Sequence, residues 1–204
     1  MNRRAWGLIR FFVFLLALSI AVTYMVAERQ VAIQKEKGQM TKERLLAMGN
    51  ISFAHENLIN DIKMDLSLNQ EILVLLGHYG HLFGEAALIK FNDPDNNTYY
   101  LVMDILFYST LTEGEKTILI SHELKHATHP PEAWLGKEAV KYQMDADTYA
   151  AKRTSPEAVI DLLEKIKGRF QFPITLLIRI LIRNSEEYDA RMTNLKNLQS
   201  LPEQ

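Results

Sequence analysis

The sequence contains no cysteine, so a disulfide framework and a thiolate metal site are both excluded. It also lacks an excess of one charge, because 23 Lys and Arg residues stand against 25 Asp and Glu residues, for a net charge of −2. This balance gives no electrostatic reason to expect a nucleic-acid partner, and we predict none. Any bound metal ion must be held by His, carboxylate or amide groups.

A third absence marks the N-terminus, where residues 11–27 carry no charged side chain. With the apolar residues before Arg10, this stretch approaches the roughly 20 residues that a bilayer-spanning helix needs. The basic flank before it favours a cytoplasmic N-terminus, with the rest of the chain on the periplasmic or extracytoplasmic side. We therefore predict an uncleaved single-pass anchor over residues 1–27, which contacts the lipid bilayer through residues 5–27. A cleaved signal peptide and a buried core helix are the alternatives.

The remaining chain is long enough for one domain. Residues 28–48 are rich in Lys, Glu and Gln, and we predict a helical stalk or linker there. Residues 49–204 form the predicted domain. Its first part, residues 51–76, shows helical spacing of apolar residues and then a dense apolar run, which together predict two or three helices. Residues 170–182 are apolar but short for a membrane span, and they predict a core helix or one at the membrane surface.

Two segments rich in β-favouring residues follow the predicted helices, at residues 86–91 and 98–107. A cluster of Asn, Asp and Pro over residues 92–97 predicts a turn between them. We therefore expect a β-hairpin. The predicted fold class is α+β and mostly helical, with a small hairpin or sheet beside an active-site helix and an N-terminal transmembrane helix.

The central motif of the chain is H-E-x-x-H, formed by His122, Glu123 and His126. Thr112 and Glu115, upstream of it, have the spacing of a capping box, which predicts the start of a helix. In that helix His122 and His126 lie one turn apart on the same face, where two imidazoles can hold a zinc ion. Glu123 lies beside them as a candidate general base.

A catalytic zinc ion takes three protein ligands and leaves a further position for water. The third ligand should come from a helix packed across the first, and residues 138–152 predict such a helix. Gln143 and Asp147 share one of its faces, whereas Asp145 points elsewhere on an ideal helix. We predict Asp147 as the third ligand, with Gln143 and Asp145 as alternatives. We expect His129 to cap the motif helix, with metal binding as its alternative role.

These motifs resemble those of a known family. The run from Tyr99 through residues 103–106 to the H-E-x-x-H helix resembles the core of the gluzincin zinc metallopeptidases, which include the CAAX-prenyl proteases and a bacterial membrane-bound heat-shock endopeptidase. Residues 145–150 resemble the second motif of that family, E-x-x-A-D followed by a further alanine. Residues 187–195 resemble its closing segment, which has an Arg before the last helix. The resemblance covers roughly the C-terminal two-thirds of the chain.

The resemblance implies a zinc metalloendopeptidase in which His122 and His126 bind the metal and Glu123 activates water. It also implies that Asp147 orients a ligand histidine, and that the family's third ligand, a Glu, is replaced by Gln143. An amide brings no charge and is a weak zinc ligand. A catalytically degenerate relative, acting as a binding or structural membrane module, is therefore the alternative function.

For an active enzyme we expect a peptide or protein substrate, aligned by main-chain hydrogen bonds along the edge of the hairpin. Tyr142, Tyr149 and Arg191 are candidates for stabilising an oxyanion. A third hypothesis is a structural envelope protein with a single span, in which the H-E-x-x-H motif is a coincidence.

Overall fold

A computed structural model describes the following residues of the chain: 3–91, 97–130, 138–169 and 184–200. The chain divides into two compact units, residues 1–40 and residues 41–204. The predicted turn, apart from Asn97, and the predicted apolar helix over residues 170–182 lie outside the described residues.

The first unit contains helix α1 (Arg3–Gly38) of 36 residues. At 1.5 Å per residue, this helix is about 54 Å long. It includes the uncharged residues 11–27 and continues into the predicted stalk. Over the part of the chain whose side chains the structure describes, no helix combines the length and apolarity that crossing a membrane requires.

The helices and strands of the second unit are, in chain order, α2 (Lys42–Ala47), β1 (Gly49–Ser52), α3 (Glu56–Asp65), β2 (Glu71–Gly77), α4 (Gly80–Phe83), β3 (Ala86–Lys90), β4 (Thr98–Asp104), α5 (Ile105–Tyr108), α6 (Glu113–Lys125), α7 (Ala139–Arg153), α8 (Pro156–Arg169) and α9 (Asn184–Gln199). A 3₁₀ turn over His126–Thr128 follows α6 directly. The α+β, mostly helical fold class is confirmed.

The four strands form one mixed sheet in the order β1-β2-β4-β3. Strands β3 and β4 are antiparallel, with Ala86 opposite Met103, which confirms the predicted hairpin. Strand β4 ends at Asp104, earlier than predicted, because the Asp104 side chain accepts a hydrogen bond from the backbone N–H of Phe107 and so caps α5. Among the described strands, β1 and β3 are the two edges of the sheet.

The prediction of two or three helices over residues 51–76 was wrong. This segment contains one helix, α3, between strand β1 and strand β2. Strand β2 lies between β1 and β4, where Val74 and Leu75 are both buried. A strand covered on both faces is apolar at successive positions, so its sequence loses the alternation that identifies a half-exposed strand.

Helix α6 lies at the centre of the second unit, in contact with β3 and α3 and with α7 and α8. Its start confirms the predicted capping box: the Thr112 side chain accepts from the backbone N–H of Glu115, and the Glu115 side chain accepts from that of Thr112. Seven successive residues, from Ile118 to Leu124, are buried. This burial places the H-E-x-x-H motif between the sheet and the C-terminal helices. Helix α7, which crosses the motif, matches the predicted helix over residues 138–152 to within a residue at each end.

Candidate metal centre

Three potential donor atoms converge between α6 and α7. The Nε2 atom of His122 lies 3.2 Å from Nε2 of His126 and 3.0 Å from Oε1 of Gln143. The two imidazole rings are nearly perpendicular, with their centroids 4.9 Å apart. Both histidines are buried, whereas Gln143 is half-buried.

The hydrogen-bond partners of His122 indicate what this arrangement can hold. Its Nδ1 lies 2.9 Å from Oδ1 of Asp147, a contact in which Nδ1–H donates to the carboxylate. In the tautomer with its proton on Nδ1, the ring has a lone pair at Nε2, and this lone pair faces an amide oxygen that is also an acceptor. Zinc bonds of about 2.0–2.1 Å in tetrahedral geometry separate neighbouring donor atoms by about 3.3–3.4 Å. The two separations from Nε2 of His122, to His126 and to Gln143, are close to that value and suit donors that share one zinc ion.

The third donor of this set is an amide. Among the described residues, no group of three His, Cys, Asp or Glu side chains is arranged to hold a metal ion. The third potential donor is instead Oε1 of Gln143. The three donors therefore carry no negative charge, which departs from the two-histidine, one-glutamate set of many zinc peptidases.

Asp147 lies on the opposite side of the His122 ring from Gln143. Arg191 donates to both of its oxygens, from Nε to Oδ2 at 2.6 Å and from Nη2 to Oδ1 at 2.7 Å. Burial opposes ionisation of Asp147, but the hydrogen bonds from Arg191 and His122 outweigh it and lower the pKa of the carboxyl below its ordinary value. Our first choice for the third ligand therefore contacts Nδ1 of His122, and Gln143 is the residue that faces Nε2.

Asp145, the remaining alternative, lies on a different face of α7. Its Oδ2 is 2.9 Å from Nε2 of His129 and 3.2 Å from Nζ of Lys125. The other ring nitrogen of His129, Nδ1, lies 3.0 Å from Nδ1 of His126. His129, together with Asp145, thus lies on the Nδ1 side of the His126 ring, away from the three converging donors.

Glu123 lies on the wall of a cleft of about 230 Å³ that also includes His122, Gln143 and Arg191. Burial raises the pKa of the Glu123 carboxyl, although the neighbouring His122 and a hydrogen bond from the backbone N–H of Leu88 act in the opposite direction. A carboxyl group with a raised pKa beside a metal site is suited to accept a proton and return it.

His126 has the protonation that metal binding requires. Burial is the main cause that lowers the pKa of His126 to about 3. The ring is therefore neutral at physiological pH, and a neutral imidazole is the form that binds a metal ion.

The three candidate oxyanion stabilisers have different surroundings. Tyr142 packs against the ring of His129, with centroids 4.7 Å apart. Tyr149 donates a hydrogen bond of 2.6 Å to Asp65, on α3. Arg191 lines the cleft but is held by Asp147.

The Asp147–Arg191 pair was not predicted, because 44 residues separate its members and no local pattern connects them. The sequence indicated only that each lay in a segment resembling a family motif. The contact between His129 and Asp145 was not predicted either, because it depends on how α7 packs across α6.

No family model matches the sequence, and no curated protein matches it. The resemblance to the gluzincin family therefore stays a prediction that rests on the motif residues.

Proposed function

We propose that the protein is a membrane-anchored zinc endopeptidase that hydrolyses peptide bonds. The main support is that Nε2 of His122 lies near both Nε2 of His126 and Oε1 of Gln143, at separations that suit donors of one zinc ion. Glu123 lies beside these donors on the wall of the same cleft. When bound, zinc would polarise the scissile carbonyl and lower the pKa of a water molecule toward about 7.

Three residues of the cleft have separate roles in the proposed hydrolysis. Glu123 accepts the proton of the attacking water and returns it to the leaving amine. Asp147 holds the proton of His122 on Nδ1, which keeps Nε2 available for the metal. Arg191 holds Asp147 through two hydrogen bonds and so maintains its orientation.

The surroundings of Glu123 favour an extended peptide as the substrate. Strand β3 is an edge of the sheet, and the backbone N–H of Leu88 in this strand points to Glu123. A peptide that adds to this edge by main-chain hydrogen bonds passes the general base. The cleft is also lined by apolar side chains of α6 and α8, which favour a large apolar side chain near the scissile bond: Ile118, Leu119, Val159, Leu162, Leu163 and Ile166.

Anchorage to a membrane is the second part of this proposal. It is supported by the uncharged residues 11–27, which belong to the continuous helix α1. The basic residues before them favour an extracytoplasmic position for the second unit. We expect the full chain to stay in the membrane pellet after carbonate extraction, and a chain starting at Thr41 to be released. Release of the full chain would contradict the anchor.

The peptidase activity is tested with the full chain purified in detergent. It should bind about one zinc ion and cleave an unfolded protein such as casein. Glu123→Gln should lower the rate by about 10²- to 10⁴-fold while zinc binding is retained. Glu113→Gln, an exposed position at the start of the same helix, is the matched control. Undiminished activity of the Glu123 variant would refute the proposed role.

The uncharged donor set favours a second candidate function, a metal-binding membrane protein that no longer catalyses hydrolysis. Gln143 is the observation that supports it, because a neutral amide is a weak zinc ligand. Zinc binding without turnover of any peptide, combined with new activity in Gln143→Glu, would select this function over the active enzyme.

A further inference from the structure

The two histidines of the motif each have a second ring nitrogen, and the structure gives each of these nitrogens a partner. Nδ1 of His122 contacts Asp147 directly, at 2.9 Å. Nδ1 of His126 contacts Nδ1 of His129, at 3.0 Å. His129 in turn reaches Asp145, with 2.9 Å between Nε2 and Oδ2. Each histidine is thus connected to a carboxylate of α7, one directly and the other through a second imidazole.

In the connection from His126 through His129 to Asp145, the groups at the two ends determine the direction of the hydrogen bonds. If His126 presents its Nε2 lone pair to a metal, its proton is on Nδ1. That N–H donates to Nδ1 of His129, so His129 carries its own proton on Nε2. This second N–H donates to Asp145, and a carboxylate accepts without needing a proton. A single tautomer of each ring therefore allows both the His126–His129 and the His129–Asp145 hydrogen bonds.

The intermediate imidazole is firmly held. The side chain of His129 is 5% exposed, and its ring packs against Tyr142. Its backbone N–H donates to the carbonyl of His126, because the 3₁₀ turn tightens the end of α6. The ammonium group of Lys125 lies 3.2 Å from the same Asp145 oxygen and is a second donor to it, beside Nε2–H of His129. These contacts come from both helices, so the position of His129 is determined by the packing of α7 on α6.

We propose that His129 and Asp145 form a positioning pair for His126, equivalent to the direct contact of Asp147 with His122. The inference rests on the proposed zinc site, since it assigns a role to residues behind one of its ligands. The pair keeps the proton of His126 on Nδ1, orients the ring and increases the basicity of Nε2. Helix α7 then supports both ligand histidines, through Asp147 on one face and through Tyr142 and Asp145 on another.

The test measures the affinity of the full chain, in detergent, for zinc alone by competition with a chromophoric chelator. We expect His129→Ala to weaken zinc binding by about 10- to 100-fold. The visible spectrum of bound Co²⁺ should also change, because the orientation of one ligand is no longer fixed. His129→Gln should restore most of the affinity, since its amide accepts from His126 and donates to Asp145. His81→Ala, which removes an exposed histidine of α4, is the matched control and should leave both readings unchanged.

A loss of folding is distinguished from a loss of positioning by the melting temperature of each zinc-free variant. Where His129→Ala does not fold, Asp145→Asn decides, because this half-exposed position can change without a cavity and should still weaken zinc binding severalfold. Wild-type affinity and an unchanged Co²⁺ spectrum in a folded variant would overturn the positioning pair, as would failure of the Gln variant to restore binding. A wild-type chain that binds no zinc would instead refute the proposed function itself.

Discussion

Helix α7 carries two networks of aspartate and arginine with similar chemistry and opposite surroundings. In the inner network, Asp147, 1% exposed, is held by Arg191 of α9. In the outer network, Arg153 at the end of α7 pairs with Asp61 and Asp65 of α3. The side chains of these two aspartates are 61% and 51% exposed.

The difference in burial decides what each network contributes. An exposed ion pair is screened by water and salt and typically stabilises a protein by about 0.2–1 kcal/mol. A buried pair gains little over a well-packed apolar pair, but removing one partner leaves an uncompensated charge and costs about 3–5 kcal/mol. The outer network therefore only joins α3 to α7. The inner one is explained by its contact with His122, which an apolar pair could not make.

The largest effect should follow from removing the cation of the inner network. Arg191→Met should lower the free energy of unfolding by about 3–5 kcal/mol, because Asp147 stays buried without its partner. The measurement is denaturant unfolding of the zinc-free chain. A loss below about 1 kcal/mol would mean that the inner pair behaves like an exposed one, and that burial does not distinguish the two networks.

Removing both members of the inner pair separates stability from orientation. Asp147→Leu combined with Arg191→Met should recover most of the stability lost in the single variant, since no charge is left unpaired. Zinc affinity should nevertheless fall by about 10- to 100-fold, because Nδ1 of His122 loses its acceptor. Chelator competition measures this loss. Wild-type affinity in the double variant would show that Asp147 does not orient His122.

The parts of the fold that were predictable have signals within a few residues. Thr112 and Glu115 identified the start of α6, and the turn-forming residues between two β-favouring segments identified the hairpin. Spacing along one helix also brought His122 and His126 together. Each of these depends on backbone geometry that neighbouring residues determine.

The parts that were not predictable depend on packing between distant elements. Strand β2 was mistaken for a helix because a strand that is covered on both faces shows no alternation of apolar and polar residues. The choice between Gln143 and Asp147 could not be made from their spacing, since both share one face of α7. It depends on which side of the His122 ring each residue reaches, and only the packing of α7 against α6 determines that.

Replacing the amide of Gln143 with a carboxylate tests a third charge on α7, placed next to the inner network. Gln143→Glu adds a negative charge beside the two imidazoles, where zinc would be held, and we expect zinc affinity to rise at least about tenfold. In the zinc-free chain the same charge is half-buried and close to Glu123 and Asp147 in the lining of the cleft, so the melting temperature should fall. Chelator competition and thermal unfolding measure the two changes. A drop in zinc affinity would indicate that the donor at this position is not Gln143.

The smallest effect is expected in the outer network. Arg153→Met is the same substitution as in the inner network, but it should lower the free energy of unfolding by no more than about 1 kcal/mol. Asp61 and Asp65 stay hydrated when the arginine is removed, and Tyr149 still donates to Asp65. Zinc affinity should not change, because none of these residues contacts a donor of the proposed metal site. A loss as large as that of Arg191→Met would show that joining α3 to α7 matters more to the fold than its exposure suggests.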